Sequence, residues 1–295
     1  MTSEGLLVSV AGATAEIENS EGKLIRCHVR KNAEPVITGD HVAWELANDG
    51  TGIITGPVAR KTVLFRPENA HKRKLIAANI DFIFVVTAPP PVLAEDILDR
   101  YLIAAQQFKI TPVIVLNKID LMDEATTKDV HERLHIYERA GYTVLFSSIH
   151  LPDSLNKLSA FLEYKSAVLV GQSGVGKSSL IKILTGQNTI RIGDVSTSTG
   201  LGKHTTTGTR LYHLPNGGSI IDSPGVREFG LWHLDREDIQ NGFLEFEKYL
   251  GDCKFRDCLH LSEPGCAIRA AVEAGDIAPK RMHSYQKIME QLANK

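Results

Sequence analysis

Ala167-Val168-Leu169-Val170-Gly171-Gln172-Ser173-Gly174-Val175-Gly176-Lys177-Ser178-Ser179 joins an apolar run, a glycine-rich turn and the start of a helical pattern. The aliphatic run predicts a buried strand over 167–170, and apolar residues at helical spacing predict a helix over 177–185. Between them the pattern GxxxxGKS has the flanking strand and helix that make such a turn a phosphate cradle. Its glycines let successive backbone N–H groups turn inward around phosphate oxygens, and the helix N-terminus adds positive potential. Gly171, Gln172, Ser173, Gly174, Val175, Gly176 and Ser179 are therefore expected around the phosphates. Lys177 is expected to reach the β- and γ-phosphates, and Ser178 to ligate Mg²⁺.

On both sides of this motif, strands alternate with helices. Strands are predicted over Asp81–Thr87, Thr111–Leu116 and Tyr142–Phe146, and helices over Leu93–Phe108, Asp123–Ala140 and Asp153–Glu163. Two more strands flank the Pro215-Asn216-Gly217-Gly218 turn between Arg210 and Asp222. That alternation implies a mainly parallel sheet with helices on both faces. Before it, the short β-rich runs Leu6–Val10, Ala13–Ile17, Leu24–Val29, His41–Glu45 and Gly52–Ile54 suggest a small barrel. An OB-like barrel is the leading choice, though strand count alone leaves an SH3-like barrel open. After residue 231 the chain reads as helices around a cysteine-rich loop.

Two further motifs follow predicted strands. Asn117-Lys118-Ile119-Asp120 places a carboxylate, Asp120, where it can accept from both the ring N–H and the exocyclic amine of guanine. Adenine lacks that donor pair and would leave the charge unpaired. Asn117 would tether the base and neighbouring loops, with the Lys118 stem over the base plane. Ser147-Ser148, after the next strand, could offer backbone N–H groups to the guanine carbonyl oxygen. Asp222-Ser223-Pro224-Gly225 could hold Mg²⁺ through a water at Asp222 and meet the γ-phosphate with the Gly225 N–H. Common small GTPases run from the phosphate loop to the base motif, whereas here the base motif and Ser147-Ser148 come first. A site built from strand ends tolerates such circular permutation if the old termini are joined, here by Asp153–Ser166.

Cys253, Cys258, His260 and Cys266 give the spacing C-x4-C-x-H-x5-C. Three thiolates and an imidazole complete a tetrahedral zinc shell, and filled four-ligand sites are structural. His233 and His283 are expected at the surface or in packing. Cys27 stands alone among strand-like residues and is expected to be a small buried side chain. The fold class is thus α/β, in three parts: an OB-like β-barrel over 1–66, a circularly permuted P-loop GTPase domain over 67–230, and a helical zinc-binding domain over 231–295.

A length of 295 residues with 43% hydrophobic content fits several packed domains. The apolar runs fall short of the roughly 20 residues a membrane helix needs, and the start lacks a secretory pattern. No membrane partner and a cytoplasmic location are expected. The formal charge of -2 gives no support for a nucleic-acid partner, so such contact needs a local patch. The stretch Arg60 to Lys74, with Lys61, Arg66, His71, Lys72 and Arg73, is either a hydrated linker or an RNA-phosphate contact.

Taken together, Asn117-Lys118-Ile119-Asp120, Gly171–Ser179, Gly202-Lys203-His204-Thr205-Thr206-Thr207, Asp222-Ser223-Pro224-Gly225 and the Cys/His cluster resemble the ribosome small-subunit-dependent GTPases, the RsgA or YjeQ family. The resemblance covers essentially the whole chain. It implies hydrolysis of GTP to GDP during late maturation of the small ribosomal subunit, stimulated by that subunit, with 16S rRNA as partner. Mg²⁺ with the nucleotide, one structural Zn²⁺ and a monomeric state are expected. Val226 follows the DxxG motif where many GTPases carry a water-orienting Gln, and valine can neither donate nor accept a hydrogen bond. By resemblance to the family's switch segment His204 is the catalytic candidate and Thr206 the Mg²⁺ ligand, with Thr205 or Thr207 as alternatives for the latter. His204 as an exposed loop residue or an rRNA contact is the competing reading. The rival functions are a nucleotide-sensing module with incidental turnover and a metalloenzyme using the zinc, the second disfavoured by the filled shell.

Overall fold

The computed structural model describes residues 3–69, 72–89, 93, 95–186, 209–223 and 235–293. Strands β1 (Ser3–Ala11), β2 (Thr14–Glu18), β3 (Leu24–Val29), β4 (His41–Leu46) and β5 (Gly52–Pro57) fall on the five predicted runs. β1 pairs antiparallel with both β2 and β4, β3 runs parallel to β5, and β5 pairs with β4. The sheet therefore closes on itself as a five-stranded barrel of the OB-like kind. Alternate residues point inward, so Leu7, Ile17, Cys27, Val42 and Ile54 are fully buried together. Cys27 is the packing residue expected of it, and burial pushes its thiol up to about 11.

Most of the basic stretch is folded as a hairpin and is not an irregular linker. β6 (Val63–Asn69) and β7 (Lys72–Ala78) form an antiparallel hairpin, so the boundary drawn at residue 66 falls inside β6. Leu64, Ile76 and Ala77 from this hairpin join the core of the central domain. Arg60 is committed inward, donating through Nε to Asp40 Oδ1 at 2.6 Å and through Nη2 to the Pro35 carbonyl at 2.6 Å. The Arg73 guanidinium lies over the Phe65 ring at 4.4 Å.

The central sheet consists of β8 (Phe82–Thr87), β9 (Thr111–Leu116), β10 (Thr143–Phe146), β11 (Ser166–Val170), β12 (Arg210–His213) and β13 (Ser219–Asp222). Its order is β10-β9-β8-β11-β13-β12, parallel except for β12, which continues into the barrel through β1. Strands buried on both faces read as continuous apolar runs. Ile83, Val85, Ile114 and Val168 pack on one side with α1 (Glu95–Gln107) and α2 (Glu124–Arg139). Phe84, Val86, Val113 and Leu169 pack on the other with α3 (Pro152–Phe161) and α4 (Lys177–Thr185). The carboxyl ends of β8, β9, β10, β11 and β13 share one edge, where ligands bind in open α/β sheets.

The C-terminal part holds α5 (Arg236–Asn241), a 3₁₀ segment Leu244–Tyr249, α6 (Ala267–Glu273) and α7 (Pro279–Ala293). Phe243, Phe246, Tyr285, Ile288 and Met289 form its core, to which Ile103 of α1 contributes. His283 is exposed on α7, as expected, and His233 lies outside the described residues. Among the described residues no helix is long and apolar enough to cross a membrane.

Candidate functional site

The phosphate loop follows β11 directly. Gly171, Gly174 and Gly176 have φ of 134°, 83° and 96°, a region that favours glycine. A Cβ at Gly171 would run into the Val86 carbonyl, and one at Gly176 into the Asn117 side-chain amide. Gly176 caps α4, so Lys177 and Ser178 form the first turn of the helix, the end that carries the positive potential of the helix dipole. Lys177 Nζ donates to the carbonyls of Gly171 at 2.7 Å and Gln172 at 2.6 Å, which keeps the ammonium over the loop.

The base loop sits against it. Asn117 is 2% exposed and bridges three segments. Its Nδ2 donates to the Val175 carbonyl at 2.8 Å, and its Oδ1 accepts from Ser147 Oγ at 3.1 Å. Lys118, at φ 62°, stretches its stem across the loop so that Nζ donates to the Gly174 carbonyl at 2.7 Å. Asp120 lies in the 3₁₀ turn Ile119–Leu121 and accepts a short hydrogen bond from Ser148 Oγ.

The two serines enter the site differently from the sequence expectation. The Ser147 N–H donates to the Leu116 carbonyl at 2.8 Å, and the Ser148 N–H to Ser154 Oγ at 3.0 Å. Both N–H groups are thus engaged inside the protein, and the hydroxyls instead brace Asn117 and Asp120. Ser154 carried no sequence signal, because a serine early in a helix reads as a capping residue.

Asp222 ends β13 at the same edge, followed by buried Ser223. Thr209 Oγ1 donates to Ser223 Oγ at 2.9 Å, and Thr38 Oγ1 of the barrel donates to the Thr209 carbonyl at 3.1 Å. Gly225, Val226, His204, Thr205, Thr206 and Thr207 lie outside the described residues.

The four predicted metal ligands converge. The ligand atoms of Cys253, Cys258, His260 and Cys266 lie within 4.8 Å of one another. His260 Nδ1 is 3.4 Å from Cys253 Sγ and 3.3 Å from Cys266 Sγ. Tetrahedral zinc, about 2.3 Å from sulfur and about 2.0 Å from nitrogen, would set those atoms about 3.5 Å apart. Backbone N–H groups of Ala267 and Arg269 donate to the sulfurs of Cys253 and Cys266 at 3.3 and 3.5 Å. Burial lowers the His260 pKa, favouring the neutral imidazole a metal needs. The donor set fits zinc.

A phosphate loop and a guanine-type base loop joined at one sheet edge, in inverted chain order, define a circularly permuted GTP-binding α/β protein. A family model described as RsgA GTPase matches residues 58–232. The chain belongs to that family and is a GTP hydrolase. It is 48% identical over 296 residues to the small ribosomal subunit biogenesis GTPase RsgA of Dickeya dadantii, covering 98% of this chain and 85% of that protein. To the protein of the same name from Haemophilus influenzae (strain 86-028NP) it is 46% identical over 294 residues, covering 98% of this chain and 85% of the relative. Among solved structures, YjeQ from Thermotoga maritima superposes with a TM-score of 0.82 at 29% identity, covering 100% of both chains. YloQ, described as a circularly permuted GTPase, gives a TM-score of 0.80 at 27% identity, covering 100% of this chain and 96% of its own.

Proposed function

We propose that this chain hydrolyses GTP to GDP and phosphate as a late assembly factor of the small ribosomal subunit, in the cytoplasm, with turnover stimulated by that subunit. The observation that carries the nucleotide reading is the Asn117 bridge to the Val175 carbonyl, which locks base and phosphate loops 58 residues apart into one surface. The names of the relatives carry the ribosomal part.

In this reading Asp120 accepts from the guanine donors, and Ser148 fixes the carboxylate by occupying one oxygen. Asn117 and Ser147 hold the loop, and Lys118 covers the base. The N–H groups from Gly171 through Ser179 surround the phosphates, and Lys177 moves from its loop carbonyls to phosphate oxygens. Ser178, Asp222 and Thr206 would hold Mg²⁺, which neutralises charge on the phosphates. The Gly225 N–H meets the γ-phosphate, and His204 orients the attacking water. Cys253, Cys258, His260 and Cys266 would hold one structural Zn²⁺, which supplies cross-linking and no chemistry. The chain acts as a monomer on 16S rRNA through the barrel, residues 1–66, and the zinc-binding part, residues 231–295.

The test is GTP turnover by the chain alone and with purified small subunits, large subunits or free RNA. Stimulation by small subunits alone is expected. Equal turnover in every mixture would remove the ribosomal reading and leave a nucleotide-binding module.

A further inference from the structure

At the amino-terminal edge of the central sheet, opposite the nucleotide loops, a cleft of about 420 Å³ opens between barrel and sheet. Five non-glycine residues among the described residues have left-handed φ. Lys118 belongs to the base loop and His260 to the Cys/His cluster. The other three, Asn79 at 56°, Lys109 at 54° and Tyr164 at 54°, all line this cleft. Asn79 explains itself, since Asn tolerates the conformation and its amide ties Gly39 to Lys61. Lys109 and Tyr164 follow the ends of α1 and α3, where glycine is the unstrained residue. Strain of this kind concentrates at binding sites.

Tyr164 is 78% exposed. Its ring rests on Gly217, where an added Cβ would lie 2.6 Å from Cε1 and 2.7 Å from Cδ1. Backbone thus supports one part of the ring while the rest is open to solvent. Lys61, Lys109, Lys165 and His41, all exposed, stand around the same cleft. The acid among them, Asp81, accepts from the Ser166 N–H at 2.8 Å and lies 3.9 Å from Lys165 Nζ. A cation behind a helix also offsets the helix dipole, which accounts for charge at Lys109 and Lys165 but for neither Lys61 nor Tyr164.

We infer that this cleft docks a single-stranded RNA segment, with one base stacked on Tyr164 and neighbouring phosphates on Lys61, Lys109 and Lys165. Aromatic platforms among cations are how unpaired bases are held, because every base has a π-face and every nucleotide a charge. The inference deepens the proposed role in ribosome assembly, and rests on it for the source of the RNA, while lying away from the nucleotide site.

The test uses the full chain and a short fluorescent single-stranded RNA of mixed sequence, followed by anisotropy over a salt series. Tyr164→Gly is expected to weaken binding about tenfold, and Tyr164→Phe to stay within about twofold of the parent. Tyr164→Gly should leave Tm unchanged or raised, because glycine relieves the left-handed backbone and little ring area is buried. Lys61→Gln and Lys109→Asn should each flatten the log–log salt slope by about 0.7. A parent chain that does not bind the RNA, or a Tyr164→Gly variant that binds as tightly as the parent, overturns the inference. Displacement of the RNA by inorganic polyphosphate with no effect of Tyr164→Gly overturns it too, as charge alone would then suffice. GTP turnover in the same preparations reports separately: if it is absent while RNA binding follows Tyr164, the proposed function fails and the cleft stands.

Discussion

Arg281→Met should be among the most damaging single substitutions in this chain, although Arg281 touches no nucleotide loop. Its guanidinium joins Asp99 of α1 and Glu245 of the 3₁₀ segment, with Nε 2.5 Å and Nη2 3.2 Å from the Glu245 oxygens and Nη1 on Asp99. The side chains are 3%, 1% and 7% exposed for Arg281, Asp99 and Glu245. Phe243 and Tyr137 face the cation at 4.5 and 4.8 Å. Removing the cation leaves two carboxylates buried together, and breaking such a group costs about 3–5 kcal/mol. At about 2–4 °C per kcal/mol, Tm should fall by about 6–20 °C.

The same geometry sets a pH dependence. Burial raises the Asp99 carboxyl above the usual range, while Arg281 and the Ser284 hydroxyl pull it back. A carboxyl raised in the folded state adds stability that is complete below the unfolded pKa of about 4 and is lost as pH rises through the folded value. Without Arg281 the carboxyl rises further, so the cost of Arg281→Met should be smallest in acid and grow toward neutral pH. Urea unfolding followed by circular dichroism across that range gives both quantities. Adding Asp99→Asn and Glu245→Gln to Arg281→Met should recover most of the loss. A cost below about 1 kcal/mol, or one that grows in acid, would mean that the Arg281 cation does not hold the two buried carboxylates.

Lys177→Ala and Ser178→Ala should each lower GTP turnover about a hundredfold or more, read as kcat at saturating GTP. Cys258→Ala should lose bound zinc by elemental analysis and lower Tm, with basal GTP hydrolysis retained. His204→Ala should abolish subunit-stimulated hydrolysis while GTP and subunit affinities stay near the parent's; stimulation that survives with those affinities would remove His204 from the mechanism.

The central sheet was legible because strands buried on both faces, such as Phe82–Thr87, leave unbroken apolar runs, and because GxxxxGKS fixes a strand and a helix around itself. The Cys/His cluster was legible because its four ligands are close in sequence. The β6–β7 hairpin was not, since Pro67 and a run of cations hide the alternation of Leu64 and Ile76 toward the core. Nor were Asp99 and Arg281: a charge on an amphipathic helix reads as a solvated face, and only the packing of α7 on α1 buries the pair. The roles of Ser147 and Ser148 turned on backbone pairing that residue type does not encode. Tyr164 and Lys109 stand where a helix-end glycine is expected, a signal visible only once φ is known.

If Asn117–Asp120 and Gly171–Ser179 make one guanine-nucleotide site despite their inverted order, base selectivity must depend on Asp120. The direct measurement is the affinity of the parent and of Asp120→Asn for GTP, ATP and xanthosine triphosphate. Ser148 donates to one Asp120 oxygen, so an asparagine there should keep its oxygen on Ser148 and turn its NH₂ toward the base. Guanine would then meet a donor where it needs an acceptor, at a cost of about 1–3 kcal/mol, whereas xanthine offers a carbonyl in place of the amine. The parent should prefer GTP, and Asp120→Asn should lose about fivefold to 150-fold in GTP affinity while gaining for xanthosine triphosphate. Unchanged GTP affinity with unchanged discrimination against the other two nucleotides would contradict a base contact at Asp120.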